Sequence, residues 1–239
     1  ENIIRERDKY KLIATILAEA PPEVMCQDAN ESYAQDTDND LIQRLLAEIS
    51  KVKNNGICPQ EFASETLPQT AFEYLYDTYK KEMNRRRRID FDDMVLLCRD
   101  LLLARPEVLK LWQERFRYIL IDEFQDICPL QYEVVRLLAA PRDNLFIVGD
   151  DDQAIYGFRG SKPEIMLNFQ KDYPSAKQVL LNVNYRSRRD IVETAGRLIS
   201  HNKSRFPKTV ETQNSMTDGV KIYSFTSKHQ QAKNTALLI

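Results

Sequence analysis

The 239-residue sequence predicts an α/β fold in which a parallel sheet follows an all-helical front. Short, wholly apolar runs (Tyr118-Ile-Leu-Ile121, Leu145-Phe-Ile-Val148 and Val179-Leu-Leu181) alternate with segments of helical periodicity. That is the pattern of strands buried on both faces of a parallel sheet. The runs end at Ile121, Val148 and Leu181, 27 and 33 residues apart, close to the ~30 residues of one βαβ unit. Residues 1–90, in contrast, carry only the helical period.

Element by element, Tyr10, Ile13, Ile16 and Leu17 form one helical face. Leu41, Ile42, Leu45, Leu46, Ile49 and Val52 form a second, which stops near Gly56, and Phe72, Leu75, Tyr76, Tyr79 and Met83 form a third. Pro21-Pro22 and the acidic stretch through Asp40 read as a loop between the first two. Asp36-Thr-Asp38-Asn-Asp40 begins like a calcium loop, but Leu41 and Ala47 occupy the positions that need Gly and Glu. Helical stretches near 91–104 and 106–116 lead into the first apolar run, with Trp112, in an amphipathic helix with Leu109 and Phe116, assigned to the core. Pro129 opens a helix bearing Tyr132, Val135, Leu137 and Leu138. Further helices are expected near 163–171 and 188–201, then a strand at Gly219–Phe225 and a helix after it.

Composition excludes several classes. Lys plus Arg number 34 against 36 Asp plus Glu, a net charge of −2, so nucleic acid is not held by bulk positive charge. Hydrophobic content of 43% suits a packed core rather than disorder. The cysteines at 26, 58, 98 and 128 form no C-x-x-C pair and read as reduced thiols of a cytoplasmic protein. His201 and His229 lack metal-ligand spacing and read as surface side chains. No apolar run reaches membrane-spanning length, and the N-terminus does not read as a signal peptide. None of the six glycines lies in G-x-x-x-x-G-K-[ST] or G-x-G-x-x-G, so neither standard phosphate loop is present. With Glu rather than Met at residue 1, the chain is read as an excised internal piece.

In open parallel sheets ligands sit outside the carboxyl ends of the strands. The first apolar run is followed by Asp122-Glu-Phe-Gln-Asp126. There Asp122 is placed to hold Mg²⁺ beside nucleotide phosphates, and Glu123 to activate water. The second is followed by Gly149-Asp-Asp-Asp-Gln-Ala-Ile-Tyr-Gly-Phe-Arg-Gly160. Gln153 can hydrogen-bond a terminal phosphate, while Tyr156, Phe158 and Arg159 suit stacking on unpaired bases and contact to their phosphates. The third is followed by Asn182-Val-Asn-Tyr-Arg-Ser187, where Tyr185 offers a face to a nucleobase and Arg186 a fork to a phosphate.

Taken together, in order and spacing, these segments resemble the second, third and fourth motifs of the UvrD/Rep/PcrA family of superfamily 1 DNA helicases, and Arg117–Ile121 and Asp90–Asp93 also resemble family sequence. The resemblance implies a partial RecA-like P-loop NTPase parallel sheet with an inserted all-helical subdomain. Residues 1–90 would be that subdomain, 91–182 the C-terminal half of the first RecA-like domain, and 183–239 the beginning of the second. By the same resemblance Asp122 ligates Mg²⁺, Glu123 is the catalytic base, Gln153 and Arg186 meet the terminal phosphate of ATP, and Tyr185 stacks on adenine. Tyr156, Phe158 and Arg159 engage single-stranded DNA. Phe158 stands where many relatives carry Trp, and Ile127-Cys128 where a polar pair is more usual.

The implied activity is ATP-dependent 3′-to-5′ movement along single-stranded DNA and unwinding at duplex junctions, the chain alone lacking turnover for want of the phosphate loop. Alternatives are a helicase subunit of a helicase–nuclease complex and a non-catalytic single-strand-binding module. No pattern specifies a protein partner, and none points to a membrane. The run Arg85–Arg88 is read as a basic helix end facing Asp90, Asp92 and Asp93 rather than as a DNA contact.

Overall fold

The computed structural model describes residues 2–25, 38–216 and 219–238. Two compact units divide the chain, Glu1–Asp172 and Tyr173–Ile239. Segment 26–37, with Cys26, most of the expected polar loop and the start of the calcium-like stretch, lies outside the described residues.

The first unit begins with α1 (Glu6–Glu19), α2 (Pro22–Met25), α3 (Asp38–Asn55) and α4 (Gln69–Arg85). The apolar faces expected from periodicity meet in one core, where Ile13, Ile16, Leu45, Ile49, Phe72 and Leu75 are buried together. Each such side chain contributes about 1.5–3 kcal/mol on leaving water. The end of α4 turns through Arg87 at φ 50°, and the Arg88 amide donates to the Met83 carbonyl at 2.9 Å. Arg85 and Arg86 pair with Glu82, at 2.7 and 3.2 Å. Asp90 and Asp93 take Lys53 of α3 as a cation, at 2.7 and 2.6 Å.

Asp90 also begins α5 (Phe91–Ala104): its Oδ1 accepts the Asp93 amide while Asp93 accepts the Asp90 amide. This reciprocal box satisfies two backbone donors that a helix start leaves open. Next come α6 (Pro106–Arg115), β1 (Ile119–Ile121), α7 (Pro129–Ala139) and β2 (Leu145–Ile147). Trp112 departs from its expected core position. Of the described elements, α6 packs mainly on α5 and α7, so the half-buried indole stacks on exposed Phe116, with Arg115 5.1 Å from its ring centre.

β1 and β2 run parallel, pairing Ile119 with Leu145, Leu120 with Phe146 and Ile121 with Ile147. Burial on both faces, expected from the continuous apolar runs, is not observed. Leu120 and Phe146 are 71% and 60% exposed, while their neighbours in the pair are half-buried. The expected helix over 163–171 is two, α8 (Pro163–Leu167) and α9 (Phe169–Asp172), separated at Asn168. The break lets Phe169 meet the ring of Phe124 edge-on at 5.7 Å.

The second unit holds α10 (Arg189–Ile199) and α11 (Lys228–Leu238). The strands expected at Val179–Leu181 and Gly219–Phe225 are not formed among its described residues. An isolated parallel bridge joins Val183 to Glu211, and Leu181 is 88% exposed. A strand is stabilised by ladder partners and a covered face, and these segments have neither among the unit's described residues. Among the described residues, no helix is long and apolar enough to cross a membrane.

Candidate functional site

The two strand ends remain tied beyond their ladder. The Val148 amide donates to Ile121 at 2.8 Å, and the Phe124 amide returns a bond to Val148 at 2.9 Å. These bonds set the turn after β1 beside the turn after β2. Glu123 occupies the left-handed region at φ 51°, uncommon for a residue with a Cβ and most often found in turns and functional sites. Its amide donates to Asp122 Oδ1 at 2.9 Å. Both carboxylates are exposed, a position from which charge can meet a ligand.

Behind them the turn is anchored by Phe124, which is buried and meets Tyr132 and Phe169 edge-on. Gln125 is buried as well. Its Nε2 donates to Glu123 Oε2 at 2.8 Å and its Oε1 accepts the Asp150 amide at 3.0 Å. Burial, and then the charge of Glu123, push the Asp126 carboxyl above its ordinary value. The thiol of Cys128, also pushed up by burial, caps α7 by accepting the Gln131 amide at 3.5 Å.

The loop after β2 continues the chain of bonds. Asp150 accepts the Asp152 amide at 3.2 Å and the Gln153 side-chain amide at 2.7 Å, within the tight turn Asp151–Gln153. Tyr156 and Phe158 follow, their ring centres 5.8 Å apart and both exposed, Phe158 by 62%. Arg159 ends the turn Gly157–Arg159, but its side chain lies outside what is described. Gly160 closes the turn at φ 88°, and a Cβ there would lie 3.1 Å from the Cβ of Asn54. Asn54, near the end of α3, also accepts the Cys128 thiol at 3.6 Å. Asn54 thus lies against both Gly160, which closes the aromatic turn, and Cys128, which caps the helix after the acidic turn.

Tyr185 and Arg186 belong to the second unit. Both are exposed, Tyr185 by 76%. Asn184 Oδ1 accepts the amides of Arg186 and Ser187 at 2.9 and 2.7 Å. Asn214 Nδ2 holds the Tyr185 and Ser187 carbonyls, each at 3.1 Å. The backbone of this loop is held while its two large side chains face outward.

Asp122, Glu123 and Gln153 therefore gather on adjoining loops of the first unit, with Tyr156 and Phe158 farther along the second loop. Gln125, Asp150 and Asn54 escaped assignment from sequence. Gln125 carried one signal, a polar side chain directly after a buried Phe in a very short turn.

The family described as "UvrD/REP helicase N-terminal domain" matches residues 2–174. YjcD of Bacillus subtilis (strain 168) is 51% identical over 137 residues, covering 57% of this chain and 18% of that protein. The ATP-dependent DNA helicase PcrA of Leuconostoc citreum is 40% identical over 190 residues, covering 79% and 25%. DNA helicase II of Rickettsia typhi is 40% identical over 191 residues, covering 79% and 29%. The chain thus spans between 18% and 29% of the length of these relatives. With the acidic turn, the glutamine loop and the aromatic pair all inside the matched span, the chain belongs to the UvrD/REP helicase family.

Proposed function

We propose that this chain forms part of an ATP-dependent DNA helicase, in which hydrolysis drives 3′-to-5′ movement along single-stranded DNA and opening of duplex junctions. The observation that carries this reading is the loop Gly149–Gly160. At one end it is bonded through Gln125 to Glu123, and farther along it presents Tyr156 and Phe158 to solvent. A single segment therefore touches both a phosphate-facing cluster and a stacking platform.

Asp122 would hold Mg²⁺, since an exposed, hard carboxylate suits a cation that takes most of its remaining oxygens from phosphates and water. Mg²⁺ would neutralise charge on the phosphates during transfer. Glu123 would take the proton of the attacking water through the carboxylate held by Gln125. Gln153 would meet the terminal phosphate without adding charge, and Arg186 would bring a cationic fork to it. Tyr185 would stack on adenine. Tyr156, Phe158 and Arg159 would hold unpaired bases and backbone. The fold proposed to carry these residues is a partial RecA-like sheet with a helical insertion over 1–90 and a second such domain beginning at 183.

The test is ATP hydrolysis by the complete gene product with and without single-stranded DNA. Turnover should be stimulated by DNA and fall about 10²–10⁴-fold in Glu123→Gln, the usual worth of a general base. The 239-residue chain alone should show none, because it carries no phosphate loop. Hydrolysis unchanged by Glu123→Gln, or steady turnover by the 239-residue chain, would overturn the assignment. Duplexes with a 3′ or a 5′ tail report polarity, and unwinding should require the 3′ tail.

A further inference from the structure

Gln125 meets no ligand in the proposed mechanism, yet both ends of its side chain are used. The residue is 2% exposed. Its Oε1 accepts from the Asp150 backbone amide at 3.0 Å. A backbone N–H can only donate, so that end of the side chain must be the oxygen, and Nε2 is the end that meets Glu123 Oε2 at 2.8 Å. Asp150 in turn accepts from Gln153 Nε2 at 2.7 Å. The result is one path, Glu123–Gln125–Asp150–Gln153, crossing from the loop after β1 to the loop after β2.

The neighbouring glycine leaves room for this path. A Cβ at residue 149 would lie 2.6 Å from Gln125 Oε1 and 3.1 Å from both Met166 Sδ and the Phe124 amide nitrogen. Gly149 has no left-handed backbone to explain it, so space is the requirement. A buried amide is costly when unpaired and neutral-to-favourable when both ends are bonded. A hydrophobic side chain could fill the same volume but could not join the two loops. Because the amide is neutral, it restrains the Glu123 carboxylate without cancelling its charge.

We infer that Gln125 is a positioning residue for ATP hydrolysis: it holds the carboxylate of Glu123 in register with the loop that carries Gln153. This inference rests on the roles proposed for those two residues. Substituting Gln125→Glu keeps the shape, removes the donor and sets a second carboxyl against Glu123. Gln125→Asn keeps the amide but is one methylene too short to reach both partners.

The experiment measures DNA-stimulated ATPase of the complete gene product, with thermal melting of each variant alongside. In both variants kcat should fall about 10–100-fold, the cost expected of a base displaced by an ångström, while KM for ATP stays within twofold. Added to Glu123→Gln, either substitution should change the residual rate less than twofold, because no base remains to be positioned. A wild-type protein without Glu123-dependent hydrolysis would defeat the proposed function and this inference with it. Glu123-dependent hydrolysis with wild-type kcat in both Gln125 variants would overturn the inference alone. So would a raised KM at unchanged kcat, full additivity with Glu123→Gln, or melting of both variants below the assay temperature, which would make the role structural.

Discussion

The helical block of α1, α3 and α4, with the start of α5, and the loops at the ends of β1 and β2 join their parts in opposite ways. In the block, Lys53 and Asp90 are almost wholly enclosed, with Asp93 and the Tyr79 hydroxyl completing the cluster. Burial alone would raise the Asp90 carboxyl, but Lys53 at 2.7 Å and the Asp93 amide more than reverse this and hold it below the ordinary carboxylate range. Burial, reinforced by Asp93 and Asp90, pushes the Tyr76 phenol up to about 12. In the loops, the buried connector is the neutral amide of Gln125, while the charges of Asp122 and Glu123 stay at the surface. An enclosed ion cluster secures packing because each charge is already answered inside the protein. A neutral bridge secures geometry and leaves charge available to a ligand.

Lys53→Met should break that contrast most severely. It leaves Asp90 and Asp93 enclosed without Lys53, at a cost of about 3–5 kcal/mol. Chemical denaturation would read it as a lower midpoint with an unchanged slope. Affinity of the folded protein for single-stranded DNA should be unaffected. A loss below about 1 kcal/mol, the range of exposed pairs, would mean that the cluster does not secure the block.

Phe158→Ala should do the reverse. The ring is exposed, so melting should hardly move. Binding to single-stranded DNA at low salt should weaken by the roughly 1–3 kcal/mol of one stacked base. Unchanged affinity would remove the stacking assignment and leave the loops without their DNA side.

The smallest effect is one of pH. Asp90 has a lowered folded value, so as pH falls the unfolded chain takes up its proton first. Its contribution is complete above the ordinary carboxylate range, near 4, and is lost as pH falls through the lower folded value. Asp90→Asn should flatten the acid limb of stability against pH over that interval. An identical limb in the variant would assign acid sensitivity to other groups.

Much of the helical block was legible in the sequence because helix faces follow a local period: Ile13, Leu45 and Phe72 were expected inside and are buried. The strands were less legible. An apolar run such as Val179–Leu181 has the composition of a buried strand, but pairing depends on a partner distant in sequence, which composition does not supply. Trp112 illustrates the same difficulty for a helix, since an apolar stripe does not reveal how much of it the neighbours cover.

What the sequence determined by itself is the inventory: the helical periods, the acidic turn, the glutamine loop, the aromatic pair and their order. What only the tertiary structure decided is the link between loops, because Gln125 reaches both Glu123 and Asp150 only when the ends of β1 and β2 lie side by side. Hydrogen bonds have short reach, so which residues share one depends on strand register, and no local pattern along a single strand encodes it.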